Sequence, residues 1–182
     1  MADQPMAYFI TFTTYGTWLH GQSPGSVDED HNTVGTPFAV PSPKRRSAIR
    51  EQMTQQPYHL DSARRDLVRD AIVEECRFRG WTLHALHVRS NHVHLVVTAD
   101  REPEFVLRAC KANASKRLNL AGFENAERKR WTTHGSTRYL WNEQAVADKI
   151  RYTLHDQGDT MAVYPIEENK REPSLSASEG PV

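Results

Sequence analysis

Apolar positions along this chain switch between a spacing of two and a spacing of three to four, and the switches set an order of elements. Tyr8 to Thr14 alternates and is dense in aromatic and β-branched residues, which predicts a first strand, broken by Gly16 and Gly21. Asp61-Ser62 carries an N-cap signal, and Leu67, Val68, Ala71, Ile72 and Cys76 keep one helical face as far as Gly80, predicting a helix over 62–79. Trp81 to Val88 alternates again, with Trp81, Leu83 and Ala85 on one side and Thr82, His84 and Leu86 on the other. After the polar turn Arg89-Ser90-Asn91, a second β stretch runs from His92 to Thr98, and the two arms read as a hairpin. Residues 104–120 return to helical spacing, with Phe105, Leu107, Cys110, Ala114 and Leu118 toward a core and Lys111, Lys116 and Arg117 outward. Trp131 to Trp141 predicts a turn and a short strand. Asn142-Glu143 then opens a helix carrying Val146, Ile150, Tyr152 and Leu154, ended by Gly158 in the C-cap manner. Strands and helices in this order predict an α+β fold, a central antiparallel sheet with helices packed on its faces.

Two regions keep neither period. From about 20 to 60 the chain is polar and carries Pro24, Pro37, Pro41, Pro43 and Pro57, with only a short helical signal at Lys44 to Met53; it reads as an insertion or long loop. Lys44-Arg45-Arg46 within it suits contact with a polyanion or simple solvation of the loop. Residues 161–182 mix Pro, Ser, Glu and Gly and predict a disordered tail, leaving one domain over 1–160. With 182 residues, 38% hydrophobic and 25% charged, the chain suits a single domain with a real core. No run approaches the roughly 18 apolar residues of a membrane span. Met1 to Pro5 lacks the basic-then-apolar layout of a signal peptide, so a cytoplasmic protein with no membrane partner is expected. Cys76 and Cys110 sit far from any Cys-x-x-Cys spacing and read as small buried hydrophobes.

The formal net charge is zero, which argues against a protein that coats nucleic acid indiscriminately. Its distribution says more. Arg101 to Arg151 holds eleven Lys and Arg against six Asp and Glu, whereas Asp156 to Val182 holds six acidic residues against two basic ones. An acidic end therefore masks a basic middle of the kind that suits a phosphate-bearing substrate. Solvated helix faces produce the same pattern.

Candidate chemistry concentrates in Arg89-Ser90-Asn91-His92-Val93-His94-Leu95-Val96-Val97. On a strand, residues two apart share a face, so His92 and His94 project side by side while Val93 points into the opposite layer. Two imidazoles offered to one ion need at least a third ligand and open positions for substrate. Two polar residues on the solvent face of a strand would look the same. In the last helix, Tyr152 and Asp156 are one turn apart and share a face, so a phenol and a carboxylate point together. Gln157 competes with Asp156 as the third ligand if the helix end is distorted.

His92-Val93-His94 on a strand, then Tyr152 on a C-terminal helix, then Asp156 or Gln157 one turn later resemble the single-tyrosine HUH transposases, which include the REP-associated tyrosine transposases. The resemblance runs from about Tyr8 to Gly158. This chain departs from it in carrying Asp156 where Gln or Asn is usual and in the Pro-rich insertion. The resemblance implies an HUH endonuclease fold with a ferredoxin-like or RRM-like core. It also implies a single-strand DNA endonuclease and strand transferase that uses Mg²⁺ or Mn²⁺, held by His92, His94 and Asp156 or Gln157. Tyr152 would be the nucleophile, forming a 5′-phosphotyrosine link and freeing a 3′-hydroxyl. An ordinary phenol has a pKa near 10, so its attack needs help from a Lewis acid. Lys111, Lys116, Arg117 and Arg138 are the expected phosphate contacts, and Trp131 or Tyr139 the expected stacking surfaces for unpaired bases. The implied partners are single-stranded or hairpin DNA, and a homodimer is among the arrangements the resemblance allows. Two rivals stand beside this: a domesticated module of the same fold that binds DNA or RNA without cutting, and a metal-dependent hydrolase in which Tyr152 is structural.

Overall fold

The computed structural model of the protein describes residues 4–17 and 53–165. The first strand, β1, spans Ala7–Thr13, and helix α1 follows at Ser62–Arg79. The hairpin of β2 (Thr82–Val88) and β3 (His92–Thr98) leads to helix α2 (Pro103–Leu120). Strand β4 (Ser136–Leu140), helix α3 (Glu143–His155) and the short strand β5 (Ala162–Tyr164) complete the chain. One antiparallel sheet carries the strands in the order β4-β1-β3-β2-β5, so the His-x-His strand lies at its centre. The architecture is α+β, as the periodicities predict.

Local signals explain the boundaries. The Asp61 carboxylate accepts from the Arg64 backbone N–H at the start of α1, and Gly80 ends the helix in the left-handed conformation at φ 72°, a geometry that glycine adopts without Cβ strain. Asn142 caps α3 in the same way, its side chain accepting from the Ala145 N–H. The C-terminus of α3 differs from expectation, because the helix gives out at His155, three residues before Gly158.

Alternation along the central strands divides their side chains between two layers. Tyr8, Ile10 and Phe12 of β1 and Val93, Leu95 and Val97 of β3 pack with Val68, Ala71, Ile72 and Cys76 of α1 and Val106, Leu107, Cys110, Ala114 and Leu118 of α2. On the other face a much smaller cluster of Ala7, Phe9, Ala85, Val96 and Leu140 meets Ala145, Val146, Ile150 and Leu154 of α3. The sheet is therefore covered thickly by α1 and α2 and thinly by α3. Cys76 and Cys110 are buried free thiols within the thick layer.

Three expectations are corrected. The simple alternation assigned to Trp81–Val88 breaks between Leu83 and Ala85, where β2 shifts register against β3; Leu83, Leu86 and Val88 join the thick core while Ala85 joins the thin one. Residues 162–164, assigned to the tail, instead form β5 against Leu86–Val88. The end of the expected insertion is also structural: Tyr58 and Leu60 are buried in the core, and their backbone N–H groups donate to Tyr15 O (2.8 Å) and Ser90 O (2.7 Å). The helical signal at Lys44 to Met53 and the basic run Lys44-Arg45-Arg46 lie outside the described residues, apart from Met53.

Candidate active site

The site begins with strand parity. His92 and His94 leave β3 on the α3 face, and their rings lie 4.8 Å apart between centroids. The partner of His94 across β1 is Thr11, whose hydroxyl bonds the His94 Nδ1 at 2.7 Å. The Asn91 side-chain oxygen bonds the His92 Nδ1, also at 2.7 Å. Both Nδ1 atoms are thus held by neighbouring side chains, which orients the rings and leaves each Nε2 as the available ligand atom. Burial, reinforced by the nearby Arg89 guanidinium, lowers the pKa of His92 to about 4. For His94, burial followed by the charge of His92 lowers it to about 3. Each ring is therefore neutral near pH 7, the form that binds metal.

Helix α3 brings the phenol. The Tyr152 ring packs edge-on against His94 at 5.8 Å and against Phe9 at 5.9 Å, while Phe9 itself stacks on His94 at 5.5 Å. Despite these contacts Tyr152 keeps 36% of its surface exposed, so the nucleophile candidate sits at the mouth of the site rather than in the core.

The two candidates for a third ligand separate where the helix ends. Asp156 is the C-cap, exposed, and among the described residues no third His, Cys, Asp or Glu joins the histidine pair. The Gln157 side chain does reach it, and its hydrogen bonding opposes the downward shift of both imidazoles. Its amide nitrogen lies 3.4 Å from the carbonyl oxygens of Tyr152 and Asp156, which leaves the amide oxygen as the candidate donor atom. Two neutral imidazole nitrogens and one amide oxygen form a donor set that would hold a divalent ion with open positions.

No protein-family model matches the sequence, and a search of curated proteins gives no match. Among solved structures, the chain is similar to a REP-associated tyrosine transposase bound to a REP hairpin, at 13% identity and a TM-score of 0.46, over 84% of this chain and 67% of that one.

Of the expected DNA contacts, the fold brings only Arg138 to this side. It pairs in register with Phe9 on β4, so it shares the face of Phe9 and His94, and it is exposed. Lys111 is a correction. It lies in the buried stripe of α2 with 9% of its surface exposed, and its ammonium donates to Thr132 O (2.8 Å) and His134 O (3.0 Å). Trp131 is another, for it packs edge-on against Phe12 at 5.2 Å and donates to Ser115 Oγ at 2.9 Å, so it is a core wedge rather than a stacking platform. Lys116 and Arg117 are exposed on α2, across the sheet from Tyr152, and Arg117 is paired with Glu74. Tyr139 is exposed on the edge strand, stacked on Trp141 at 5.8 Å, with its hydroxyl on Glu102.

Other residues of this site were not singled out from the sequence. Arg89 lies close enough to both histidines to lower their pKa values. His87, the partner of His94 across β2, is fully buried and fastens α3. Lys149 lays its ammonium over the Tyr152 ring. A spacing argument could have found Lys149, since it stands three residues before Tyr152 on one helical face.

Proposed function

We propose that this protein is a metal-dependent single-strand DNA endonuclease and strand transferase of the single-tyrosine transposase kind, with Tyr152 as nucleophile. The observation that carries this is the packing of an exposed phenol against His94, within a pair of oriented, neutral imidazoles that Gln157 joins from the end of the same helix. His92, His94 and Gln157 would hold the ion, and a bound Mg²⁺ or Mn²⁺ supplies Lewis-acid polarisation of the scissile phosphate. The Tyr152 Oη attacks phosphorus as the bond to the 3′-oxygen breaks; the phenolic proton ends on that oxygen, and one phosphodiester replaces another. Phe9 and His94 hold the phenol ring at a fixed orientation, so Tyr152 meets the phosphate without searching rotamers. Arg138 contacts the flanking backbone from the sheet edge.

The test is incubation of the protein with labelled single-stranded DNA from the flanks of its own gene, in Mn²⁺, followed by a denaturing gel. A covalent adduct that maps to Tyr152 is the expected result. Tyr152→Phe should retain DNA binding and form none, and an adduct that survives this substitution removes Tyr152 from the mechanism. Retained binding with no adduct from the unaltered protein would favour the non-cleaving module.

A further inference from the structure

The inward stripe of α3 runs through Ala145, Val146, Ile150 and Leu154, which pack on the sheet, and Thr153, which is fully buried. Lys149 interrupts this stripe with a charge. Its ammonium lies 5.0 Å from the centroid of the Phe9 ring and 4.9 Å from that of Tyr152, so it rests on the two rings that frame the nucleophile. A lysine that merely needed water would turn outward on its flexible stem. A structural ion pair would show a carboxylate, yet the neighbouring Asp148 is engaged by Arg151 (3.9 Å) and Gln144 (3.0 Å), and among the described residues no carboxylate pairs with Lys149.

We infer that Lys149 is a further catalytic residue, whose ammonium moves from the Phe9–Tyr152 shelf onto a non-bridging oxygen of the scissile phosphate. The inference rests on Tyr152 being the nucleophile. Contact with an aromatic face is weaker than a charge-assisted hydrogen bond to phosphate, so an arriving DNA strand displaces the ammonium readily. During attack negative charge builds up on the non-bridging oxygens as the Tyr152 Oη–P bond forms and the P–O3′ bond breaks. A cation held beside the attacking atom stabilises that charge more than the single charge of the bound diester. The phenolic proton still ends on the 3′-oxygen, and Lys149 keeps all of its own.

The experiment compares Lys149→Met and Lys149→Arg with the unaltered protein, using the same labelled single-stranded oligonucleotide and Mn²⁺. Adduct formation is timed on denaturing gels, oligonucleotide affinity is read by fluorescence anisotropy, and thermal unfolding is recorded for each variant. Lys149→Met, which keeps the length of the stem, should slow adduct formation by roughly 100-fold, with affinity changed less than about threefold and an unchanged melting temperature. Lys149→Arg should restore the rate to within about tenfold of the unaltered protein. A Lys149→Met rate equal to that of the unaltered protein overturns the inference alone. A loss of affinity as large as the loss of rate, or a rate that falls in step with the melting temperature in both variants, overturns it too. Absence of any adduct from the unaltered protein overturns the Tyr152 reading, and this inference with it.

Discussion

Gln157 and Asp156 differ by one position in sequence and by which way the end of α3 releases them. A regular helix would place Asp156 one turn beyond Tyr152 on the same face, which is why the spacing alone left both open. The helix stops at His155, and the next residues leave its phase, turning Gln157 rather than Asp156 toward the imidazoles. Titration of the protein with Mn²⁺ by calorimetry separates the two. Gln157→Ala should weaken binding by more than the roughly tenfold lost with an outer-shell partner, and Asp156→Ala should leave it unchanged. The reverse order would return the third ligand to the carboxylate. The shared face of the two histidines needed no structure to be read, because the period of a strand fixes it; which side chain joins them depends on where a helix frays, which periodicity does not encode.

At the scale of elements, α2 shows how residue type can mislead where position would not. Val106, Leu107, Cys110, Ala114 and Leu118 define its buried stripe, and Lys111 lies within it, four residues after Leu107. Spacing would have placed Lys111 inside; its charge suggested the outside. Its ammonium ties α2 to the loop before β4 through the carbonyls of Thr132 and His134, and burial lowers its pKa from the ordinary 10.5 to about 8. Between those two values the unfolded chain binds more protons than the folded one, so stability rises with pH across that window. Denaturation midpoints should show the unaltered protein gaining on Lys111→Met between about pH 8 and 10.5, on the order of 3 kcal/mol, with no divergence below pH 7. Parallel pH profiles for the two proteins would mean that the ammonium is not desolvated. Trp131 differs from expectation on similar grounds, since an aromatic near a turn signals neither stacking nor core until the helix beneath it is placed.

For the whole molecule, the order of elements from β1 to α3 followed from periodicity, while β5 and the unequal thickness of the two layers did not. Sequence patterns mark a face as apolar without saying how much will cover it. Here α1 and α2 bury a large cluster, and α3 covers only Ala7, Phe9, Ala85, Val96 and Leu140. One fully buried imidazole, His87, reinforces this thin layer. His87 Nε2 accepts the Met161 N–H at 3.2 Å, which leaves Nδ1 to donate to Thr153 O at 3.0 Å, so one ring joins the tyrosine helix and the approach to β5 to strand β2. Few buried apolar contacts mean a low opening free energy, and regions so held exchange their amides without global unfolding. Native-state hydrogen exchange should therefore show α3 and β5 opening together, below the free energy that opens β1 and β3. His87→Ala leaves the Thr153 carbonyl and the Met161 N–H without their partner, a cost of about 1–3 kcal/mol, and that cost should fall on the α3 and β5 amides while β1 and β3 keep their protection. Equal loss of protection across all five strands would show instead that α3 is an integral part of one cooperative core, and the placement of Tyr152 would then depend on the whole fold rather than on this one fastening.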